Sequence, residues 1–189
     1  MESKLLTRKR KDKITSIFTR GLLTRNITLP ISNIGNNLKE TFEKFIAFHF
    51  EGKCMVEGFI KSGSTKIITY SSGEITRGNM INFIVTFECE ICFPVEGMVI
   101  SCIAKNITKA GIKADSADEQ PSPIIVFVAK DHNYNNELFS QIKVDEIFSI
   151  RVIGQRFELN DSYVSVLGEV IKPKSLFKEQ AKPKIIIEN

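Results

Sequence analysis

The sequence predicts two β-rich units in series: an α+β unit, one helix on a small antiparallel sheet, and then an all-β five-stranded barrel. Three observations carry that reading. Between residues 78 and 97, Phe83, Val85, Phe87, Cys89, Ile91 and Phe93 occupy alternate positions, with Thr86, Glu88 and Glu90 between them. A period of two puts those six side chains on one face of a long, half-buried strand. Upstream, Leu38, Phe42, Phe45, Ile46 and His49 recur at helical spacing, and downstream five strand-like runs follow without a convincing long helix. A chain of 189 residues has room for one domain or two small ones.

Taken in order, residues 1–20 are polar and basic and read as an extension. Residues 21–29, GLLTRNITL, alternate as a strand, and Pro30 ends its ladder. Residues 33–36 form a turn. Asn37 is placed to cap the helix, with Glu40 as its reciprocal partner, and Gly52 stops it. His49 sits in the apolar stripe and reads as a core histidine. Residues 53–61 and 66–70 read as strands separated by Ser62-Gly63-Ser64, and Ser71-Ser72-Gly73 turns the chain into the long strand. That strand runs without a linker into Phe93-Pro94-Val95-Glu96-Gly97, where a proline and two apolar side chains predict a nearly rigid junction. Residues 98–107, 111–115, 124–129, 147–153 and 163–171 are the barrel strands, and the gap at 130–146 has room for a short helix. Five strands with an insertion after the third is the pattern of a Greek-key barrel, the OB-fold. The chain thus divides into a basic extension (1–20), an α+β unit (21–94), the barrel (95–171) and a basic tail (172–189).

The apolar share of 42% and charged share of 25% are those of an ordinary globular protein. The longest purely apolar run, 124–129, is far too short to span a bilayer. The first residues lack the apolar core of a signal peptide, so an intracellular location is expected. The net charge of +4 is unevenly spread. Residues 1–25 carry +6, 26–93 carry −1, 94–171 carry −4 and 172–189 carry +3. Basic ends on an acidic body suit contact with phosphate or an acidic partner, and equally suit mere solubility. The cluster at 8–13 has the composition of a nuclear address.

Enzymatic constellations fail one by one. Cys89 and Cys92 have zinc-knuckle spacing, but residues three apart on a straight strand face opposite ways and no second pair completes a site. The four cysteines, Cys54, Cys89, Cys92 and Cys102, read as reduced, buried thiols. Residues 58–65 approach a phosphate-binding loop, yet Ser64 replaces its lysine and a β-branched strand follows where a helix is needed. His49 and His132 are far apart, and Glu88 and Glu90 read as solvated charges. No catalytic residue, metal ligand or cofactor is expected. The barrel instead offers Lys105, Lys109, Lys113, Lys130, Arg151, Arg156 and Phe157 around the places where OB-folds bind single strands. The acidic balance of the same half predicts weak, salt-sensitive binding.

The order of motifs completes the reading. A strand ending in ITLP leads to a helix ending in Glu51-Gly52-Lys53-Cys54, then to Gly73-Glu74-Ile75-Thr76-Arg77-Gly78, then to the long strand closing in Phe93-Pro94-Val95-Glu96-Gly97 and the barrel. Over residues 21–171 this resembles the larger stalk subunit of archaeal and eukaryotic multisubunit RNA polymerases, the seventh-subunit family. The resemblance implies a non-catalytic subunit whose N-terminal tip domain plugs into the polymerase core near the clamp and whose OB domain projects toward emerging RNA. Core docking would fall on Pro30, Ile31, Asn33, Ile34, Gly35, Ile75 and Arg77, with Ile31, Ile34 and Ile75 exposed on turns. The implied partners are the large polymerase subunits, a small companion stalk subunit and, weakly, nascent single-stranded RNA, with no membrane. The implied location is the nucleus, or the cytoplasm or virion for a viral polymerase; a composition rich in Ile, Lys and Asn fits an AT-rich genome. The basic ends, and Ile112 where an aromatic often follows the second-strand glycine, depart from the family pattern. The alternative is a free-standing OB-fold RNA-binding protein of translation or RNA decay.

Overall fold

The computed structural model describes residues 16–35, 37–134 and 136–171. Of the basic extension expected at 1–20, residues 1–15, with the cluster at 8–13, lie outside the described residues, as does the tail at 172–189; residues 18–20 belong instead to the first strand, and Ile17 is buried. Two antiparallel strands dominate the N-terminal half: β1 (Phe18–Pro30) and β6 (Met80–Cys92), paired over their full thirteen residues. The other edge of β6 is shared in succession by β5 (Glu74–Ile75), β4 (Lys66–Tyr70) and β3 (Gly58–Ile60), and β2 (Cys54–Met55) pairs with β3.

Helix α1 (Leu38–Phe50) covers one face of this sheet. Its Phe42 and Ile46 are fully buried against Leu23, Ile27, Phe83, Val85 and Phe87. Phe42 meets the edge of Phe83 at 5.1 Å and tilts against Tyr70 at 5.2 Å, the offset geometry that aromatic quadrupoles favour. The alternating pattern holds from Phe83 to Cys89 and then changes phase. Ile91 is half-buried, Cys92 is buried and Phe93 is exposed. The cause is that β6 serves two cores. Its alternate residues from Ile81 to Ile91 pack on the core under α1, while Cys92 joins Ile17, Cys54 and the barrel interior.

Several sequence expectations need correction. The first strand begins at Phe18 rather than residue 21, because β6 is long enough to template it. Residues 53–61 form a hairpin of two short strands, not one strand. Gly58 makes the bend at φ +126°, and a Cβ there would stand 2.6 Å from the Cys92 carbonyl oxygen. Asn37 makes no side-chain cap; its amide instead donates to the Glu40 carboxylate at 3.3 Å. His49 is exposed, stacked on Phe45 at a centroid distance of 4.0 Å with Nδ1 2.9 Å from the Phe45 carbonyl. The apolar stripe of α1 is therefore narrower than its spacing suggested.

The C-terminal half is a closed barrel of β7 (Val99–Ile107), β8 (Gly111–Ser116), β9 (Ile124–Ala129), β10 (Ile147–Arg156) and β11 (Val164–Ile171). The strand order is β10-β11-β9-β8-β7, with β10 closing onto β7, and only β9 and β11 run parallel. This five-stranded closure is OB-like. Short helix α2 (Glu137–Gln141) fills the long gap, capped by Asn136 Oδ1, which accepts from the Leu138 N–H at 3.2 Å. Alternate residues Ile112, Ala114, Val126, Val128, Ile150, Val152, Val164 and Val166 fill the interior.

The two halves meet along a backbone seam, where Cys54 N–H donates to Asp161 O at 2.8 Å and Asn160 N–H to Cys54 O at 2.9 Å. Just past the junction the barrel closes on itself, Gly97 N–H donating to Val152 O and Val152 N–H to Met98 O, each at 2.8 Å. Lys61 adds ion pairs to Glu119 of the barrel at 2.8 Å and Glu90 of β6 at 3.3 Å, and its ammonium lies 4.8 Å from the Phe18 ring centroid. At the junction itself Pro94 is buried while Phe93 and Val95 are exposed. What ties the halves is the backbone pairing at Cys54, Lys61, the packing of Ile17, Cys54 and Cys92 into the barrel core, and the contact of Phe93 with Phe157; Val95 is exposed.

Candidate functional site

The N-terminal sheet brings the two expected docking loops to one end. Pro30, the last residue of β1, pairs with Met80, while Ile75 of β5 pairs with Ile81 on the other side of the same strand. Ile31 N–H donates to Asn79 O and Thr76 N–H to Met80 O. The two loops therefore flank the start of β6, about 10 Å apart across two strand spacings. Gly78 and Asn79 take φ of +76° and +61°, the left-handed turn that reverses the chain into β6. Ile31 is 48% exposed on a 3-10 turn (Ile31–Asn33), and Ile75 is 79% exposed. Asn33, Gly35 and Arg77 are exposed beside them. Ile34 is different: it is half-buried and packs on the core under α1, so it supports the loop rather than presenting it.

The seven residues expected at an RNA surface do not form one patch. Lys105 is the bulged residue of β7 between Ala104 and Asn106, and it pairs with Asp145 at 3.6 Å across exposed surface. Lys109 lies in the β7–β8 turn, which is tied to the end of β9 by Lys130 N–H donating to Ala110 O at 3.0 Å. Lys113 projects from β8 opposite Asn106. These four lysines share one end and flank of the barrel. Arg151 stands opposite Val99, six residues back along β7 from Lys105, or roughly 20 Å. It is bound to Glu169 at 2.9 Å. Arg156 pairs with Glu158 at 3.1 Å, and Phe157 packs on the barrel core and against Phe93 with centroids 6.1 Å apart. Arg156 and Phe157 thus belong to the junction end, and Phe157 is a packing residue.

The aromatic that the lysine flank lacks in sequence is supplied by the next strand. Phe127 is the register partner of Lys113 and is 45% exposed on the outer face of β9. Tyr134, 77% exposed, follows the 3-10 turn (Lys130–His132) at the same end. The signal was present. Once Ile124, Val126 and Val128 are assigned inward, Phe127 must point out. A cation and an exposed ring on adjacent strands are what backbone tracking with base stacking requires.

No family model matches the chain. DNA-directed RNA polymerase II subunit 7 of Arabidopsis thaliana is 27% identical over 110 residues, which cover 58% of this chain and 60% of that protein. A protein of Acanthamoeba polyphaga mimivirus named as a DNA-directed RNA polymerase subunit is 24% identical over 162 residues, 76% of each chain. The chain is similar to the seventh subunit of RNA polymerase II. The aligned part spans less than two thirds of the Arabidopsis protein.

The thiols take no part in this surface. Cys89 faces the N-terminal core, while Cys54, Cys92 and Cys102 face the barrel-side core, so the knuckle pair does point opposite ways. Burial pushes Cys54 and Cys89 up to about 11 and Cys92 and Cys102 up to about 12. Among the described residues no three His, Cys, Asp or Glu side chains are placed to share a metal ion, and no helix is long and apolar enough to cross a membrane. Glu88 and Glu90 are half-buried rather than fully solvated; Glu90 is engaged by Lys61, and Arg25 Nη2 holds Glu57 at 2.6 Å, keeping that carboxyl below its ordinary value.

Proposed function

We propose that the chain is a non-catalytic stalk subunit of a DNA-directed RNA polymerase. The N-terminal sheet docks on the large subunits through its two loops, and the barrel reaches toward nascent single-stranded RNA. The observation that carries this reading is the pair of exposed isoleucines at the start of β6, Ile31 on the 3-10 turn after β1 and Ile75 on β5. An isolated monomer gains nothing from presenting them, whereas burying an isoleucine against a partner contributes about 1.5–3 kcal/mol. The similarity to two polymerase subunits supports the same assignment.

The test is affinity purification of the tagged chain from cells expressing its polymerase. The native chain is expected to bring down the large subunits. Ile31→Asp with Ile75→Asp is expected to stay folded and to lose roughly a hundredfold or more in association, because two apolar contacts become desolvated charges. Ile34 is unsuited to this test, since it supports the core. Equal recovery with the double variant would remove the loops as anchors, and absence of large subunits from the native sample would remove the stalk reading itself.

A further inference from the structure

β1 bonds β6 through every second residue. Ile31 N–H, in step with Asn79, donates to Asn79 O at 2.9 Å, which puts the odd-numbered residues of β1 on the shared edge. On β6 the even set turns the other way, with Ser71 N–H donating to Ile84 O and Lys61 N–H to Glu90 O, each at 2.9 Å. The N–H and C=O groups of Phe18, Arg20, Leu22, Thr24, Asn26 and Thr28 therefore point away from β6. Some of these groups are met locally. Ser16 Oγ accepts from Phe18 N–H at 3.3 Å and donates to Phe18 O at 3.2 Å, and Arg25 Nη1 donates to Thr24 O at 3.0 Å. Among the described residues nothing takes the outward groups of Arg20, Leu22, Asn26 and Thr28. The usual guards of an open edge are few. The register runs without a bulge, no lysine stands on the strand, and Pro30 blocks only its last position.

We propose that this edge takes an extended, acidic segment of another protein as a further antiparallel strand, with a carboxylate opposite Arg20 and an apolar side chain opposite Leu22. Leu23, Ile27 and Leu29 are buried under α1, so the side chains of the outward set share the other face of the sheet. Arg20, Leu22, Thr24, Asn26 and Thr28 are all exposed there. Charge decides what the edge accepts. Arg20 stands opposite Glu90 of β6, but Lys61 already holds that carboxylate at 3.3 Å. No other carboxylate among the described residues pairs with Arg20. β1 reads FTRGLLTRNITLP, with two arginines and no acid, so a second copy laid along it would offer Arg20 no counter-charge. An acidic segment supplies that charge across the strand pair, while the main chain supplies the hydrogen bonds.

The experiment uses the full chain and synthetic peptides of about nine residues that alternate threonine and valine. One carries a single glutamate, a second has lysine in its place, and a third has proline at the centre. Binding is read by NMR shifts and amide hydrogen exchange. In the free chain the amides of Leu22, Asn26 and Thr28 should exchange fast, while those of Leu23, Ile27 and Leu29 are protected. The glutamate peptide should slow the first set about tenfold or more and leave the second unchanged. It should bind about five- to tenfold tighter than the lysine peptide at about 50 mM salt, with the gap closing at about 500 mM. The proline peptide should not bind. Arg20→Glu, at an exposed position, should reverse the preference between glutamate and lysine. Slow exchange of Leu22, Asn26 and Thr28 in the free monomer would mean that the chain covers its own edge. Protection that grows with protein concentration, without peptide, would assign the edge to a second copy. Equal binding of the glutamate and lysine peptides, an Arg20→Glu chain with the native preference, or protection by none of the peptides would remove the acidic strand. Each of these results overturns the proposal. The peptides carry no polymerase sequence, so their failure leaves the stalk assignment standing.

Discussion

The N-terminal sheet is open and the barrel is closed, and their surfaces differ accordingly. β1 is thirteen residues long and, among the described residues, pairs only with β6, so no described strand covers its outer edge, and Leu22, Ile31, Ile75 and Ile84 are exposed around that sheet. The barrel closes β10 onto β7 and has no such edge; one flank carries Lys105, Lys109, Lys113 and Lys130 around Phe127. An unpaired edge with apolar side chains is a liability in a free protein unless something covers it. A closed barrel presents side chains only, which suits a flexible polyanion. On the proposed reading, one half would be covered by protein and the other would meet a strand of RNA.

The largest test of that contrast is alkaline. Buried thiols serve both cores, with ordinary values near 9.0 raised to about 11 or 12 by burial. Below pH 9 the thiols are protonated whether folded or not, and their contribution is complete. As pH rises toward 12 the unfolded chain releases these protons and the folded chain does not. Stability should therefore fall between pH 9 and 12, by up to about 1.4 kcal/mol per thiol for the first unit. Thermal melts against pH, with thiol-reagent accessibility as a second readout, check whether both halves fail together; a flat melting temperature up to pH 11 would contradict the burial.

Next in size is Phe87→Ala, which empties the core under α1 and should cost about 3–5 kcal/mol by denaturant unfolding. Phe87 has no place in the barrel cluster, so near-native barrel resonances with a weakened sheet would sharpen the contrast. Smaller again is Phe127→Ala, expected to cost about 1–3 kcal/mol of RNA affinity with little change in stability, whereas Phe157→Ala should lower stability and leave RNA affinity alone. The smallest effect is Lys61→Met. It leaves Glu90 and Glu119 facing each other across the seam and should cost about 1 kcal/mol or less. NMR relaxation should detect faster relative motion of the halves, and unchanged relaxation would show that the Lys61 ion pairs are not needed to hold them.

The sequence was most legible where one periodicity ran undisturbed. All five barrel strands and the helical insertion lie within a few residues of their expected places, because each interior face alternates cleanly and turns bound each run. It was least legible where one residue answers to two partners. Cys92 and Phe93 reverse phase because β6 passes between cores, and residues 53–61 bend into a hairpin because Gly58 must approach the backbone of β6. Neither cause is local. The residues expected to dock lie at one end of the sheet, with Ile34 packed on the core there rather than exposed. The basic set on the barrel divided, since a list of lysines and arginines carries no information on which strand end each occupies. Phe127 lies on the third barrel strand, outside the second-strand position where the family pattern places an aromatic, although its outward parity is readable from Ile124, Val126 and Val128.

The thirteen-residue pairing of β1 with β6 has a mechanical consequence. β6 spans about 43 Å from the turn at Asn79 to the seam at Cys92. A pull on the barrel, resisted at the turns, would run nearly along that axis. The ladder would be loaded in shear, with many bonds sharing the force at once, instead of being peeled one bond at a time. The shorter strands β2 to β5, two to five residues each, cannot share a load in this way. The paired β1 and β6 therefore form a stiff spar, and a tug on the barrel would be felt at the turns beyond the start of β6 with little given away in between.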